Sequence, residues 1–304
     1  MEASLDIIKI SCVARCVKPT HIYQHMTPAL RGAFGYTLSR IFDKDNGKPG
    51  IYQTIFKNET KSAYSDEYVS GKPNPYVFES PIQSRTELDA GDTISFSLTL
   101  FGMACGYVPE VIFTIEQMLK GRIMNSERAF EISSVSNYFT RKPIYSDGVV
   151  FGNIGVTAKP WQWTNEMVCE QTSRLSIRFI EPVSIKENGK QADSITFLLL
   201  IRSILNRLRL LTSIYGGTFQ IDRNIYEEKA ILVKTIESKL CGASFITHSR
   251  TQMEKKTYHG LTGDITYEGH LNMFLPYIHV GSIMHVGSNT IIGMGQYSWT
   301  MMKC

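Results

Sequence analysis

The sequence predicts the α+β class, built as two tandem βαββαβ modules with antiparallel sheets. Three observations predict it. The chain has 304 residues, 43% of them hydrophobic and 20% charged, enough apolar material for two folded domains with separate cores. Period-2 alternation and helical apolar stripes follow one another in the same order in both halves. Between the halves, Asp147 to Thr164 holds Gly152, Gly155 and Pro160, the composition of a linker. The expected domains are 1–155 and 165–304.

In the first half, Leu5 to Val13 alternates loosely and reads as a strand. Pro28 to Phe42 reads as a helix, with Thr27 as its cap, Pro28 in its first turn and Leu30, Phe34, Leu38 and Ile41 as its apolar stripe. Thr93 to Phe101 alternates cleanly, with Ile94, Phe96, Leu98 and Leu100 on one face. Pro109 to Lys120 is a second helix ended by Gly121, and Arg128 to Val135 a closing strand. In the second half, Leu175 to Ile180 is a strand and Ser194 to Tyr215 a long helix that stops at Gly216 and Gly217. Ala243 to Arg250 and Leu261 to Tyr267 read as a strand pair, Leu271 to His285 as a helix and Gln296 to Met301 as the last strand. This is the ferredoxin-like (RRM-like) plan. Its helices cover one sheet face and leave the other open, the face on which RNA-recognition modules bind RNA. The plan alone fixes no function.

Several function classes are excluded early. No apolar run reaches the roughly 20 residues of a membrane helix, and Arg202, Arg207 and Arg209 interrupt the most apolar stretch. Met1 to Asp6 lacks the basic-then-apolar plan of a signal peptide, so the expected location is cytoplasmic. The six cysteines are dispersed apart from Cys12 and Cys16, which suits reduced thiols and gives no metal-site spacing. No Ser-His-Asp order or dinucleotide fingerprint is present. The net charge of +4 is a mild bias toward anionic partners.

The most informative stretch runs from Gly260 to Tyr297. It contains Gly260-Leu-Thr-Gly-Asp-Ile-Thr-Tyr-Glu-Gly269, then Phe274-Leu-Pro276, then His285-Val-Gly-Ser-Asn-Thr-Ile-Ile-Gly-Met-Gly-Gln-Tyr297. Gly287, Gly293 and Gly295 fall between a helix and a strand. Such glycines permit φ > 0 and close backbone approach, and consecutive amides can cradle an anion. The same residues also read as a turn that needs glycine in order to pack. The segment is not a nucleotide P-loop, because it lacks the Gly-Lys-Ser/Thr ending and precedes a strand.

In the order and spacing of these residues the chain resembles the CRISPR-associated endoribonucleases that process precursor CRISPR RNA, within the repeat-associated mysterious protein (RAMP) superfamily. Leu30 to Gly35, Tyr76 to Pro81, Gly91-Asp92 through Leu100 to Gly102, and Ser249-Arg250 with Gln252 extend the resemblance over nearly the whole chain. There are departures. Many members carry paired cysteines between the first helix and the Tyr-Xaa-Phe-Glu segment, whereas this chain has none between Cys16 and Cys105. Many carry a lysine in the glycine loop, where this chain has Ser288.

The resemblance implies RNA cleavage without a metal or cofactor, by attack of the RNA's own 2′-hydroxyl. That chemistry needs a base, an acid and positive charge at the phosphate, and histidine suits the first two roles. The family's catalytic side chains often lie at the first helix. His25 is therefore the first candidate for acid or base and Tyr36 the second, with Tyr23 lying between His21 and His25. Each also reads as a helix-entry or packing residue. Arg31, Arg40, Arg250, Lys255 and Lys256 are candidate phosphate contacts, and His285, Gly287, Ser288, Gly293 and Gly295 candidate contacts in the glycine loop. Trp161 and Trp163 with Lys159 read as linker packing or as a stacking site for a base. Expected partners are CRISPR repeat RNA and CRISPR effector-complex proteins, with no membrane. The alternative is a repeat-RNA-binding structural subunit with weak catalysis.

Overall fold

The computed structural model of the protein describes residues 2–42, 50–57, 72–123, 126–146, 148–151, 173–248 and 255–303. Most of the expected linker, Trp161, Trp163, Lys159 and Arg250 lie outside the described residues. The chain divides into two compact units, one of residues 4–158 and 210–218, the other of residues 1–3, 159–209 and 219–304.

The N-terminal unit runs β1 (Ile7–Cys16), α1 (Thr27–Phe42), β2 (Tyr76–Glu79), β3 (Thr93–Phe101), α2 (Val108–Lys120), β4 (Phe130–Asn137), β5 (Pro143–Ser146) and β6 (Val149–Val150). Its antiparallel sheet has the order β6-β5-β4-β1-β3-β2. The alternation expected over Thr93 to Phe101 holds: Ile94, Phe96, Leu98 and Leu100 are all buried and cross from β3 into one core with Ile8, Ile10 and Cys12 of β1. Leu30, Phe34 and Leu38 fill that core from α1, and Val111, Ile112, Ile115 and Met118 from α2. α2 starts with Pro109 in its first turn and stops at Gly121, whose N–H reaches back to Met118 O at 3.1 Å. The sequence reading missed β2. Its four residues are all buried, so no alternation marks them.

The C-terminal unit runs β7 (Ser173–Val183), α3 (Phe197–Tyr215), α4 (Arg223–Ala230), β8 (Lys234–Ser238), β9 (Cys241–His248), β10 (Lys255–Gly269), α5 (Leu275–Met284) and β11 (Tyr297–Lys303). The sheet order is β8-β10-β7-β11, with β9 also paired to β10. If β8 and β9 are taken as one interrupted strand, the fourth-first-third-second order of the N-terminal unit is repeated. The α3 stripe of Ile201, Ile204, Leu205, Leu208 and Leu211 is fully buried. Phe197 meets Tyr267 and Phe274 edge-on at ring separations of 5.2 and 4.9 Å, contacts worth about 0.5–1.5 kcal/mol each beyond their buried area. Three boundaries differ from the sequence reading. A helix, α4, is inserted after α3 and capped by Asp222, which accepts from Asn224 N–H at 3.0 Å. The strand expected from Ala243 to Arg250 is preceded by β8. The last helix opens as a short 3₁₀ turn over Asn272–Phe274.

The open face of the C-terminal sheet is polar and charged. Arg174, Ser176 and Arg178 of β7 stand directly opposite Glu268, Thr266 and Asp264 of β10, with Thr300 and Ser298 of β11 on the other side. None of these is aromatic. Arg174 Nε donates to Glu268 at 2.6 Å, and Arg178 donates to both Asp264 oxygens at 2.7 and 3.0 Å. The fold provides the face, but its side chains are spent on one another.

Candidate nucleic-acid interface

In the N-terminal unit, the candidate residues cluster along α1 and the segment that leads into it. A two-residue ladder, Thr20–His21 with Glu87–Leu88, holds that segment. His21 Nδ1 lies 2.8 Å from Glu87 Oε1, so this histidine is committed to a carboxylate. Tyr23 and His25 are half-buried, and Tyr23 meets the His21 ring edge-on. Thr27, the expected cap, is the first helical residue, and its hydroxyl lies 3.0 Å from Ser80 Oγ, tying the helix start to the end of the Tyr76 to Pro81 segment.

Further along α1, Tyr36 is 65% exposed, and Arg40, one turn on, places its guanidinium 5.7 Å from the Tyr36 ring centre. Residues four apart share a helix face, so Gly32, Tyr36 and Arg40 form one solvent-facing line. Arg31 lies on a different face. Its guanidinium sits 4.2 Å from the Phe56 ring centre, beside the buried Tyr76, whose hydroxyl burial pushes up to about 12. The nine steps from Thr27 to Tyr36 rise roughly 14 Å along the helix axis. His25 and Tyr36 are therefore not brought together as an acid–base pair on one phosphate, while Tyr23 and His25 are neighbours.

In the C-terminal unit, the glycine loop between α5 and β11 is strapped to the end of β7. Ser288 N–H donates to Ser184 O at 2.8 Å, Gly295 N–H to Pro182 O at 2.9 Å and Val286 N–H to Gly295 O at 3.2 Å. Gly287 and Gly295 both have positive φ. A Cβ on Gly287 would overlap Ser184 O, and one on Gly295 would overlap Val286 O. Packing therefore demands these glycines. The expectation of an amide cradle for phosphate is corrected accordingly, because the amides of Val286, Ser288, Gly293 and Gly295 already donate to carbonyls of this chain. Asn289 is exposed, and Gly287, Ser288, Ile291 and Ile292 are half-buried.

His285 is also corrected as an RNA contact. It is fully buried, at 0% exposure, with Nδ1 3.2 Å from Met294 O and φ of 60°. It holds the loop closed from inside. Arg207, one of the three arginines that interrupt the most apolar stretch, is buried and donates from Nε to Met284 O at 2.9 Å, one residue before the loop. Its position inside the stripe of Ile204, Leu205, Leu208 and Leu211 was the available signal. The outer face of α3 is not free positive charge either, since Arg202 pairs with Glu227 of α4 at 2.7 Å. His279 packs edge-on to Trp299, and burial lowers its pKa.

The β9–β10 hairpin carries the remaining candidates. Lys256 is exposed, with Nζ 5.2 Å from the Tyr258 ring centre. Lys255 starts β10 opposite His248. Among the described residues no cluster of His, Cys, Asp or Glu could hold a metal ion, and no helix is long and apolar enough to cross a membrane.

Comparison with known proteins follows the division of the fold. Residues 5–155 match a family model described as an N-terminal domain. Residues 177–297 match the model of the CRISPR-associated endoribonuclease Cas6. These residues form a Cas6-family domain. The resemblance drawn from the glycine-rich C-terminal stretch is thus borne out, and the tandem ferredoxin-like plan with it. Thermus thermophilus Cas6 superposes with a TM-score of 0.57 at 14% identity, covering 99% of this chain and all of the other. A Cas6 product complex gives 0.56 at 14% identity, with 97% of this chain and 100% of the other covered. A chain of a Cas6-RT-Cas1–Cas2 complex gives 0.63 at 14% identity and covers 99% of this chain, but this chain spans only about half, 47%, of that one. At such identities the likeness is one of fold. No curated protein matches the chain in sequence.

Proposed function

We propose that this chain is an endoribonuclease that cuts precursor CRISPR RNA within its repeats, without a metal. The observation that carries the reading is the Cas6-family domain over residues 177–297, in a chain whose N-terminal unit presents a half-buried histidine and an exposed Tyr–Arg pair along its first helix. A base removes the proton from the 2′-hydroxyl, and that oxygen attacks the adjacent phosphorus. The bond to the 5′-oxygen breaks as an acid protonates the leaving oxygen. The products carry a 2′,3′-cyclic phosphate and a 5′-hydroxyl. His25, with Tyr23 beside it, is the proposed acid or base. Tyr36 and Arg40 contact the RNA one face further along. Arg31, Arg250, Lys255 and Lys256 hold phosphates, and the strap formed by Gly287, Ser288, Gly293 and Gly295 borders the RNA path. The cleaved RNA then passes to CRISPR effector proteins.

A second reading is a repeat-RNA-binding subunit with weak catalysis. It draws on Ser288, which stands in the glycine loop where many members of the resembled family carry a lysine. One experiment separates the two. The full chain is incubated in excess chelator with repeat RNA and with the same RNA carrying a 2′-deoxy residue at the cut. Cleavage of the first alone, with a cyclic phosphate product, is expected. Tight binding without cleavage would establish the second reading, and a cut that survives the 2′-deoxy change would sink the mechanism. His25→Ala should reduce cleavage by about 10²–10⁴-fold and leave binding unchanged. Equal cleavage by this variant would move the chemistry away from His25.

A further inference from the structure

A cavity of about 290 Å³ opens on the C-terminal unit. Its walls are Gln191 and Asp193, in the connection that leads to α3, and Ser244, His259 and Gly260 of the β9–β10 ladder, with Gly242 at its edge. The volume lies at the lower end of small-ligand pockets.

Its chemistry is specific. Ser244 and His259 are cross-strand partners and so project to the same side. Gly242 adds no side chain, and a Cβ there would meet nothing within 4 Å, so a flat ring has room beside the strand. Asp193 is not the cap of α3, because Thr196 Oγ1 takes the Leu199 N–H at 3.2 Å. Its carboxylate stands exposed at the cavity rim. A carboxylate repels phosphate and accepts hydrogen bonds from amino groups, which is how acidic side chains read the exocyclic amine of cytosine. Gln191 adds an amide that both donates and accepts.

Positive charge lies beside the cavity. Lys186 is the register partner of Gln191 in the small ladder of Lys186–Glu187 with Lys190–Gln191, and both lysines are exposed. The cavity is also joined to the glycine strap. Ala192 N–H donates to Ile185 O at 2.9 Å, and the preceding residue, Ser184, accepts from Ser288 N–H. The segment that the glycine loop holds therefore also supports the cavity wall.

We infer that this cavity binds one unstacked base of single-stranded RNA and selects bases whose exocyclic amine stands on purine C6 or pyrimidine C4, adenine or cytosine, over uracil. Asp193 accepts from the amine, Gln191 and Ser244 meet the neighbouring ring positions, and Lys186 and Lys190 take the flanking phosphates. The inference rests on the RNA-processing reading given above and adds base selection at a second place on the domain.

The test uses the full chain and three fluorescein-labelled octamers, rA8, rC8 and rU8, with cognate repeat RNA as the reference. Wild type is expected to bind rA8 and rC8 at least about fivefold more tightly than rU8. Asp193→Asn supplies a donor that also suits the uracil carbonyl, and should bring the three affinities within about twofold of one another. Gly242→Val fills the cavity without backbone strain and should do the same by weakening rA8 and rC8. Either variant suffices should the other lose its thermal transition. Equal wild-type affinities, or an amine preference retained in the folded variants, overturns the inference while repeat-RNA binding and cleavage stand. A wild-type protein that binds neither octamers nor repeat RNA removes both the inference and the function it rests on.

Discussion

The two sheets share one strand order and handle charge on their outward faces in opposite ways. In the C-terminal sheet, Arg174 and Arg178 pair with Glu268 and Asp264 directly across the strands, in water. In the N-terminal sheet, Lys9 of β1 donates to both oxygens of Glu79 of β2 at 2.8 and 2.6 Å, and both residues are under 10% exposed. Tyr138 completes that site, with its ring centre 4.1 Å from Lys9 Nζ and its N–H donating to Lys9 O. Both pairs satisfy the same geometric criterion, but they differ in energy. A pair in water competes with hydration on even terms. A buried pair has given up its water, so loss of either member leaves the other charge less compensated in a site that hydration does not reach.

The comparison is sharpest at Lys9. Lys9→Ala should destabilise the fold by about 3–5 kcal/mol, read as a shift of the denaturation midpoint, while Lys9→Met combined with Glu79→Leu should recover most of that loss. A loss below about 1 kcal/mol for the single variant would place the pair in effective contact with water and erase the contrast.

The next effect belongs to backbone rather than charge. Gly295→Ala places a methyl against Val286 O at φ of 73°, and should cost about 1–3 kcal/mol from conformation alone, with RNA affinity falling as the strap shifts. Gly32→Ala, on the exposed face of α1 with nothing within 4 Å, should stabilise by about 0.5–1 kcal/mol. Melting curves of both variants would show whether glycine in this chain follows need or chance. Equal behaviour would break the distinction.

The smallest effect is expected at Arg178→Ala. Its partner Asp264 has a carboxyl held below the usual range by the Arg178 hydrogen bond, but both groups are in water. The variant should melt with the parent within error, at low and at high salt. A clear loss, larger at low salt, would show that the exposed ladder stabilises the sheet after all.

Legibility in the sequence tracks the same physics. The β3 strand was read to the residue because Ile94, Phe96, Leu98 and Leu100 on the core face alternate with the polar Thr93, Ser95, Ser97 and Thr99. The α3 stripe was legible for the same reason. β2 was not, because all four of its residues are buried and alternation vanishes. β8 failed in the opposite way, since all five of its residues are exposed. At the candidate interface, the glycine spacing identified the family, but no one-dimensional signal said that Ser184 and Pro182 were the partners of those glycines. His285 showed the same limit, because a histidine that opens a glycine-rich loop reads as reachable until its burial is known. Lys9 sits in an apolar strand with its acidic partner seventy residues away, a distance at which local pattern carries nothing.

The fifteen-residue strand β10 is the shared partner of β7, β8 and β9. Its first half pairs with β9, and its second half with β8 on one edge and β7 on the other. This sets an order of assembly. The β9–β10 hairpin closes over the few residues between His248 and Lys255, a microsecond event that needs no distant partner. β7 lies some eighty residues back, and its pairing must await closure of a much longer loop. On the ribosome, β7 and α3 therefore emerge with their apolar faces uncovered until β10 has been made. The C-terminal domain completes itself only when nearly all of its chain has been synthesised.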